Sequence, residues 1–155
     1  IASSHDSEEL QIVDISDSEN PFLAASYDLD GRTNALSING FTDTIVLGRS
    51  NGEFYIFDVT NPLLPIAYEN NLNIGNDIND IAITNQNRYA LLATDENDAE
   101  YNTVDLVDPE NPIVSKEISV WRDINAVEYD PIYDILYVGG DGGLFSREFK
   151  VVSPQ

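Results

Sequence analysis

Cysteine and methionine are absent from the sequence, and histidine occurs once, as His5. Without cysteine, the chain has neither a disulfide framework nor a thiolate metal site. His5 lies in a polar leader that we assign to residues 1–9, so residues 10–155 contain no histidine. That excludes Ser-His-Asp and Cys-His catalysis and histidine-bound metals from those residues. Carboxylates are the groups left for chemistry.

Basic residues are scarce as well. The 155 residues include 7 lysines and arginines against 28 aspartates and glutamates, a formal net charge of -21. Such a charge repels the phosphates of nucleic acids and the headgroups of anionic membranes, so we expect neither as a partner. No apolar run approaches the roughly 18 residues of a membrane-spanning helix, and we expect no membrane insertion.

A motif recurs three times in the sequence without gaps. The segments Leu10–Pro21, Phe54–Pro65 and Tyr101–Pro112 each carry an aspartate seven residues before a proline. The aspartates are Asp14, Asp58 and Asp105, and the prolines are Pro21, Pro65 and Pro112. A second set of positions, at intervals of 45 and 46 residues, consists of Asn34, Asn79 and Asn125. A period of this length predicts a propeller or a solenoid.

Each period contains four short runs of β-forming residues, here called A, B, C and D, separated by turn residues. In the second unit they cover 35–38, 44–48, 54–59 and 66–70, and Ser50-Asn51-Gly52 predicts a type I′ hairpin turn between B and C. Runs B and C are apolar at consecutive positions, as in Ile45-Val46-Leu47, so both faces of each sheet need cover. Radial blades supply that cover, and a β-sandwich is the alternative.

The predicted fold class is therefore all-β: β-propeller blades of four antiparallel strands, about three and a half repeats in number. We assign a C–D strand pair to residues 10–28, blades to 34–71 and 79–119, and a partial blade to 125–152. Closed propellers usually have about four to eight blades. We therefore expect the remaining blades of a longer chain, or a second copy, to complete the ring.

The motif Ile12-Val13-Asp14-Ile15-Ser16-Asp17, together with its counterpart in 54–62, resembles the LVIVD repeat of bacterial and archaeal surface proteins. The resemblance covers most of the chain, from about Leu10 to Val152. It implies a β-propeller that is secreted or displayed on the cell surface. The third and fourth units depart from the motif, at 102–103 and at 146–148.

We expect structural roles for the repeated polar residues. Each repeat aspartate closes strand C, where its side chain accepts backbone N–H groups two or three residues later. Each proline, which has no N–H to donate, keeps its segment out of a central ladder. The asparagines open strand A beside the central channel. We expect them to bond the backbone of the neighbouring blade, with a channel ligand as the alternative.

Two acidic loops are candidate calcium sites, and calcium is the only cofactor that the sequence suggests. The candidate ligands are Asp28, Asp30, Asn34, Asp95 and Asp98. An EF-hand has a bidentate glutamate at its twelfth position, whereas the first loop has Asn39 there. A solvated acidic loop is the other interpretation of both segments.

The lack of a nucleophile with a base favours interaction over catalysis. We predict an extracellular, non-catalytic propeller segment that serves protein–protein or cell-surface contacts, or assembly, with a protein or glycan partner at its loops. The alternative is a carboxylate-based glycoside hydrolase, which needs two carboxyl groups about 5–10 Å apart, or a calcium-dependent glycan-binding module. Asp95 and Asp141 are the carboxylates to test for the enzyme.

Overall fold

The computed structural model describes residues 8–40, 42–84, 88–95, 98–119 and 123–140, and the backbone of 148–152. Fourteen strands and no helix occur in these residues, so none of them forms a helix that could cross a bilayer. His5 lies outside the described residues.

The strands form four antiparallel sheets in chain order. The first pairs β1 (Leu10–Asp14) with β2 (Phe22–Tyr27). The second contains β3 (Thr33–Asn39), β4 (Thr44–Arg49), β5 (Glu53–Asp58), β6 (Ile66–Ala67) and β7 (Leu72–Asn73). The third contains β8 (Ile78–Ile83), β9 (Tyr89–Thr94), β10 (Tyr101–Asp105) and β11 (Ile113–Ile118). The fourth contains β12 (Ile124–Asp130), β13 (Ile135–Gly140) and β14 (Glu148–Val152).

This arrangement is C–D, A–B–C–D, A–B–C–D and A–B–C, and it confirms the predicted all-β class of four-stranded antiparallel blades. Within each sheet, every strand pairs with the next one along the chain, except that β6 and β7 both pair with β5. The three A strands, β3, β8 and β12, contact one another in turn. The sheets therefore stack face to face with their A strands on the inner side.

Three apolar cores fill the spaces between successive sheets. Val46 of β4 packs into the core shared with the third sheet, whereas its neighbours Ile45 and Leu47 pack towards the first sheet. In β9, Leu92 faces the second sheet and Leu91 faces the fourth. Side chains alternate between the faces of a strand, so consecutive apolar residues supply one core on each side.

The two ends of the blades are built from different links. The A–B and C–D turns lie at one end, which we call the AB/CD end: the Val59 N–H bonds the Asp43 carbonyl at 2.7 Å, and Leu106 bonds Arg88 at 2.6 Å. The D–A and B–C links lie at the opposite end, the DA/BC end, where the Ile74 N–H bonds the Gly52 carbonyl at 3.0 Å.

The predicted type I′ turn is wrong. Such a turn needs a positive φ at two adjacent residues, but only Gly52 has one there, at 80°. The link is a three-residue loop closed by a bond from the Gly52 N–H to the Arg49 carbonyl at 3.2 Å. A Cβ on Gly52 would lie 2.7 Å from the backbone nitrogens of Gly75 and Asn76, so the D–A link leaves no room for a side chain.

Two expected boundaries also change. The D strand of the second blade, expected over 66–70, is split into β6 and β7, and Asn70 between them donates to the Glu110 carbonyl of the next blade at 2.7 Å. The polar leader ends before Glu9, because that side chain is 1% exposed and accepts the Leu29 N–H at 2.7 Å. Glu9 therefore belongs to the folded unit.

Gly48 in β4 tests the close contact between the second and third blades. A Cβ there would lie 2.3 Å from Cγ2 of Ile78, which is fully buried, so Gly48→Ala forces the two sheets apart. We expect it to lower the free energy of unfolding by about 1–3 kcal/mol. Chemical denaturation measures this change. Gly40→Ala is the control, since nothing lies within 4 Å of its Cβ position; an equal loss in both variants would contradict the packing.

Candidate interaction surface

The repeat aspartates build the same turn in each of the first three blades. The Oδ1 atoms of Asp14, Asp58 and Asp105 accept the backbone N–H two residues later at 2.8, 2.8 and 2.9 Å. The donors are Ser16, Thr60 and Val107. Such a bond fixes the start of the C–D turn without help from another element.

A second turn of the same kind follows three residues later. Asp17, Asn61 and Asp108 each accept the N–H two residues on, at 3.0, 3.2 and 3.1 Å. Each C–D loop thus has two side chains bonded to its own backbone, and it ends at the repeat proline, which directly precedes the D strand. Pro65 and Pro112 are buried, and Pro21 is exposed.

Local hydrogen bonds also set the acidity of these carboxyl groups. Bonds from the side chain and the backbone of Ser16 hold the pKa of Asp14 below its ordinary value of 3.8, and Thr60 does the same for the pKa of Asp58. The pKa of Asp17 is lowered by Asn20 and then by the Glu19 N–H. The ionised forms of Asp14, Asp17 and Asp58 are therefore favoured in the first two C–D turns.

The repeated asparagines occupy β-bulges at the start of strand A. Thr33 pairs with Arg49 and Ala35 pairs with Gly48, so Asn34 between them has no opposite residue in strand B. Asn79 and Asn125 also have no opposite residue in the B strands of their blades. Asn79 donates from Nδ2 to the Ile124 carbonyl of the next blade at 3.0 Å.

The residue after Asn79 makes a second bond across the same interface. The Val127 N–H donates to Oδ2 of Asp80 at 2.9 Å. Polar side chains at this bulge thus join the third and fourth blades.

The first candidate calcium loop is bonded to a positively charged side chain of the protein itself. Arg49 Nη2 donates to the Asp30 carbonyl at 3.1 Å, and the guanidinium also pairs with Glu53. Asp28 accepts the Asp30 N–H at 2.9 Å, and Asp30 has a φ of 55°. The carbonyl oxygen at the tip of the loop is therefore bonded to a permanently charged side chain.

The second calcium candidate loop lies partly outside the described residues. Glu96 and Asn97 belong to the undescribed part, as does Asp141, which the hydrolase hypothesis pairs with Asp95. Asp98 has a φ of 76°, and its N–H donates to Glu100 at 3.3 Å. In the part of the chain that the structure describes, no three acidic or histidine side chains converge on a metal position.

A repeated glutamate escaped the sequence analysis. Glu9, Glu53 and Glu100 each stand five residues before a repeat aspartate, and Glu148 pairs with Gly140 at the start of the fourth C strand. Glu9 and Glu100 are 1% and 4% exposed, and both are hydrogen-bonded. The constant spacing was the signal for this position, which stabilises the loops of the DA/BC end.

Exposed apolar side chains distinguish the two ends of the blades. Every large apolar residue of the described chain that is strongly exposed lies in, or within two residues of, an A–B or C–D turn. These residues are Ile15, Phe22, Leu23, Ile38, Leu63, Leu64, Ile66, Val107, Ile113, Ile132 and Tyr133. The AB/CD end is thus apolar at its surface.

One part of this surface follows the repeat. The residue after each repeat proline is apolar, and Phe22, Ile66 and Ile113 are exposed by 56%, 59% and 60%. The sequence singles out the prolines as residues that cannot donate to a central ladder, and carries no sign of the exposure of the residue that follows each of them. Only the structure shows that this first residue of D points away from the cores.

No family model and no curated protein matches the sequence. Solved structures do resemble the fold. Hydrazine synthase of Kuenenia stuttgartiensis superimposes with a TM-score of 0.69 at 13% identity, over 85% of this chain and 37% of that one.

The Cps50 (Swd1) β-propeller domain of Myceliophteria thermophila gives a TM-score of 0.67 at 12% identity, over 86% of this chain and 42% of that one. This chain has a β-propeller fold. It spans less than half the length of either structure, and at such identities the likeness concerns the fold alone.

We expect acid to lower the stability that the C–D turns contribute, and substitutions of Asp58 test this expectation. The folded pKa of Asp58 lies below 3.8, so the stability it contributes is complete above 3.8 and is lost as the pH falls through the folded value. Asp58→Ala should lower the thermal midpoint at neutral pH. Asp58→Asn keeps an acceptor oxygen, so it should retain more of the midpoint and lose less on acidification below 3.8. Circular dichroism follows both; an unchanged pH profile in Asp58→Asn would contradict this role.

Removal of the Asn79 side chain should loosen the third blade from the fourth. Asn79→Ala loses the bond to the Ile124 carbonyl, and we expect a decrease of about 1 kcal/mol in the free energy of unfolding. Asn125→Ala changes the same bulge position at an exposed site and should stay within about 0.5 kcal/mol. Urea denaturation compares the two, and a smaller loss for Asn79→Ala than for Asn125→Ala would show that the bond across blades is unimportant.

Proposed function

We propose that this chain is a non-catalytic protein-interaction module that binds through its AB/CD end. The observation that carries the proposal is the one-sided exposure of apolar side chains, from Leu23 at 51% to Ile132 at 83%. Large exposed apolar patches on water-soluble folds mark interaction sites. The DA/BC end has no comparable set of exposed apolar side chains among the described residues.

The turns of this end are preorganised for binding. Each C–D loop of the first three blades has two side chains bonded to its own backbone, and in the second and third blades Val59 and Leu106 also tie the loop to the A–B turn of the same blade. A surface held in this way loses little conformational entropy when a partner binds.

The chemistry of the exposed residues favours a protein over a glycan. Most are aliphatic, and Phe22 and Tyr133 are the aromatic members of the set. Carbohydrate binding relies on aromatic rings and paired polar groups, whereas aliphatic side chains gain chiefly from the exclusion of water by another apolar surface.

We also propose that the chain is a segment of an LVIVD-type propeller that acts outside the cell, as the motif resemblance implies. The threefold repetition of the Asp-centred turn supports this assignment. Among the described residues, Ala126 of the fourth blade is exposed, whereas Ala35, its counterpart in the second blade, is 4% exposed. Further blades or a second copy would cover Ala126.

Selection from a displayed peptide library tests the proposed function. Peptides are selected on the intact chain and then measured on Ile66→Thr/Ile113→Thr, in which two residues of the AB/CD end lose apolar surface. We expect affinity to fall about tenfold or more, the equivalent of about 1.4 kcal/mol. Threonine keeps the β preference of the strand, so the fold should persist.

Asp28→Asn provides the matched control at the opposite end. It is exposed and keeps an acceptor oxygen for the Asp30 N–H, so peptide affinity should stay at the parental value. Selected peptides that bind the Ile66→Thr/Ile113→Thr variant as well as the parent would exclude the AB/CD end as the binding surface.

A further inference from the structure

The three described C–D turns share the same backbone hydrogen bonds, but the middle turn has apolar side chains at two positions where the other two turns are polar. The middle turn carries Leu63-Leu64, exposed by 63% and 64%, at the positions that hold Glu19-Asn20 in the first blade and Glu110-Asn111 in the third. The turn is closed alike in all three, by an N–H three residues after Asp17, Asn61 or Asp108. Glu19 and Glu110 thus occupy, in the blades on either side, the turn position that Leu63 occupies in the second blade.

The flanking charge is negative throughout the AB/CD end. Its described carboxylates are Asp14, Asp17, Glu19, Asp43, Asp58, Asp105, Asp108, Glu110, Asp130 and Asp134. Arg88 is the cation within the described part of this end, and it is bonded to Asp105 at 3.3 Å and stacked on Tyr89. Because Arg88 is already paired with Asp105, no described cation of this end neutralises the negative electrostatic potential around the exposed leucines.

We propose that the AB/CD end recognises a polypeptide segment whose central apolar side chains contact Leu63 and Leu64 and whose flanking lysines or arginines face Glu19 and Glu110. This inference rests on the proposed function and specifies the partner of that same surface. Interfaces commonly have an apolar centre and a polar rim, and here the rim has one sign. Charge complementarity then fixes the partner's rim as cationic.

The same charges argue against other occupants of this surface. A second copy would bring another net charge of -21 against the first, and like charges across an interface cost several kcal/mol. Anionic phosphates of nucleic acids or of membranes meet the same repulsion. A cationic polypeptide gains from both the leucines and the glutamates.

Two variants separate the apolar contribution from the ionic one. Leu63→Glu/Leu64→Asn gives the middle turn the residues that its neighbours already carry, so the turn geometry is retained. Because it adds a negative charge, purely ionic binding would become stronger, whereas the proposed contact becomes weaker. Glu19→Gln/Glu110→Gln leaves the leucines in place and removes the two flanking charges.

The probes are three synthetic peptides of equal length with a central Leu-Leu pair flanked by lysines, by serines or by glutamates. We expect fluorescence anisotropy to show that the lysine peptide binds at least about tenfold more tightly than the serine peptide at about 0.1 M salt, and that the preference shrinks at about 1 M. Either double variant should lower the affinity of the lysine peptide about tenfold or more.

The outcomes distinguish this inference from the proposed function. Equal binding of the serine and lysine peptides, with loss in Leu63→Glu/Leu64→Asn, would overturn the cationic partner but leave the interaction surface standing. No loss in that variant would overturn the inference, whereas the proposed function is tested separately by Ile66→Thr/Ile113→Thr. Binding to phosphatidylcholine vesicles, or dimerisation seen by light scattering, that depends on Leu63 and Leu64 would assign the surface to a membrane or to a second copy and would also overturn the inference.

Discussion

The B strands β4 and β9 carry apolar side chains on both of their faces. A sheet built in that way is stable only when another sheet covers each face, because every exposed apolar face costs free energy in water. Val46 and Leu47 of one strand, and Leu91 and Leu92 of another, are fully buried in different cores. The stacking of blades, the inward position of the A strands and the separation of two loop-bearing ends all follow from this need.

The polar residues of the repeat are arranged around that constraint. The repeat aspartates satisfy turn backbone locally, whereas Asn79 and Asp80 satisfy backbone of the next blade. Bulges make the second arrangement geometrically available, since an extra residue re-aims its neighbours without breaking the ladder. Hydrogen bonds within each turn thus fix the conformation of the loops, and hydrogen bonds between blades hold neighbouring blades together.

Fold and function separate clearly in such an architecture. Structures of 12% and 13% identity superimpose on this chain, because a propeller needs a pattern of apolar strands and turns rather than particular side chains. The loops are free to vary within a fixed backbone, as the exchange of Leu63-Leu64 for Glu-Asn between blades shows. In the proposed interaction module, specificity would depend on which side chains occupy a few equivalent turn positions.

The sequence by itself determined the blade inventory, the strand order and the turns at Asp14, Asp58 and Asp105, because these depend on local periodicity and on bonds between near neighbours. It also contained the spacing of Glu9, Glu53 and Glu100, although their burial was not readable from it. Tertiary structure decided which end of the blades exposes Ile66 and Ile113, that Arg49 bonds the Asp30 carbonyl, and that Asp80 accepts the Val127 N–H of the next blade. Those features depend on the packing of residues some 20 to 50 positions apart, which no local pattern encodes.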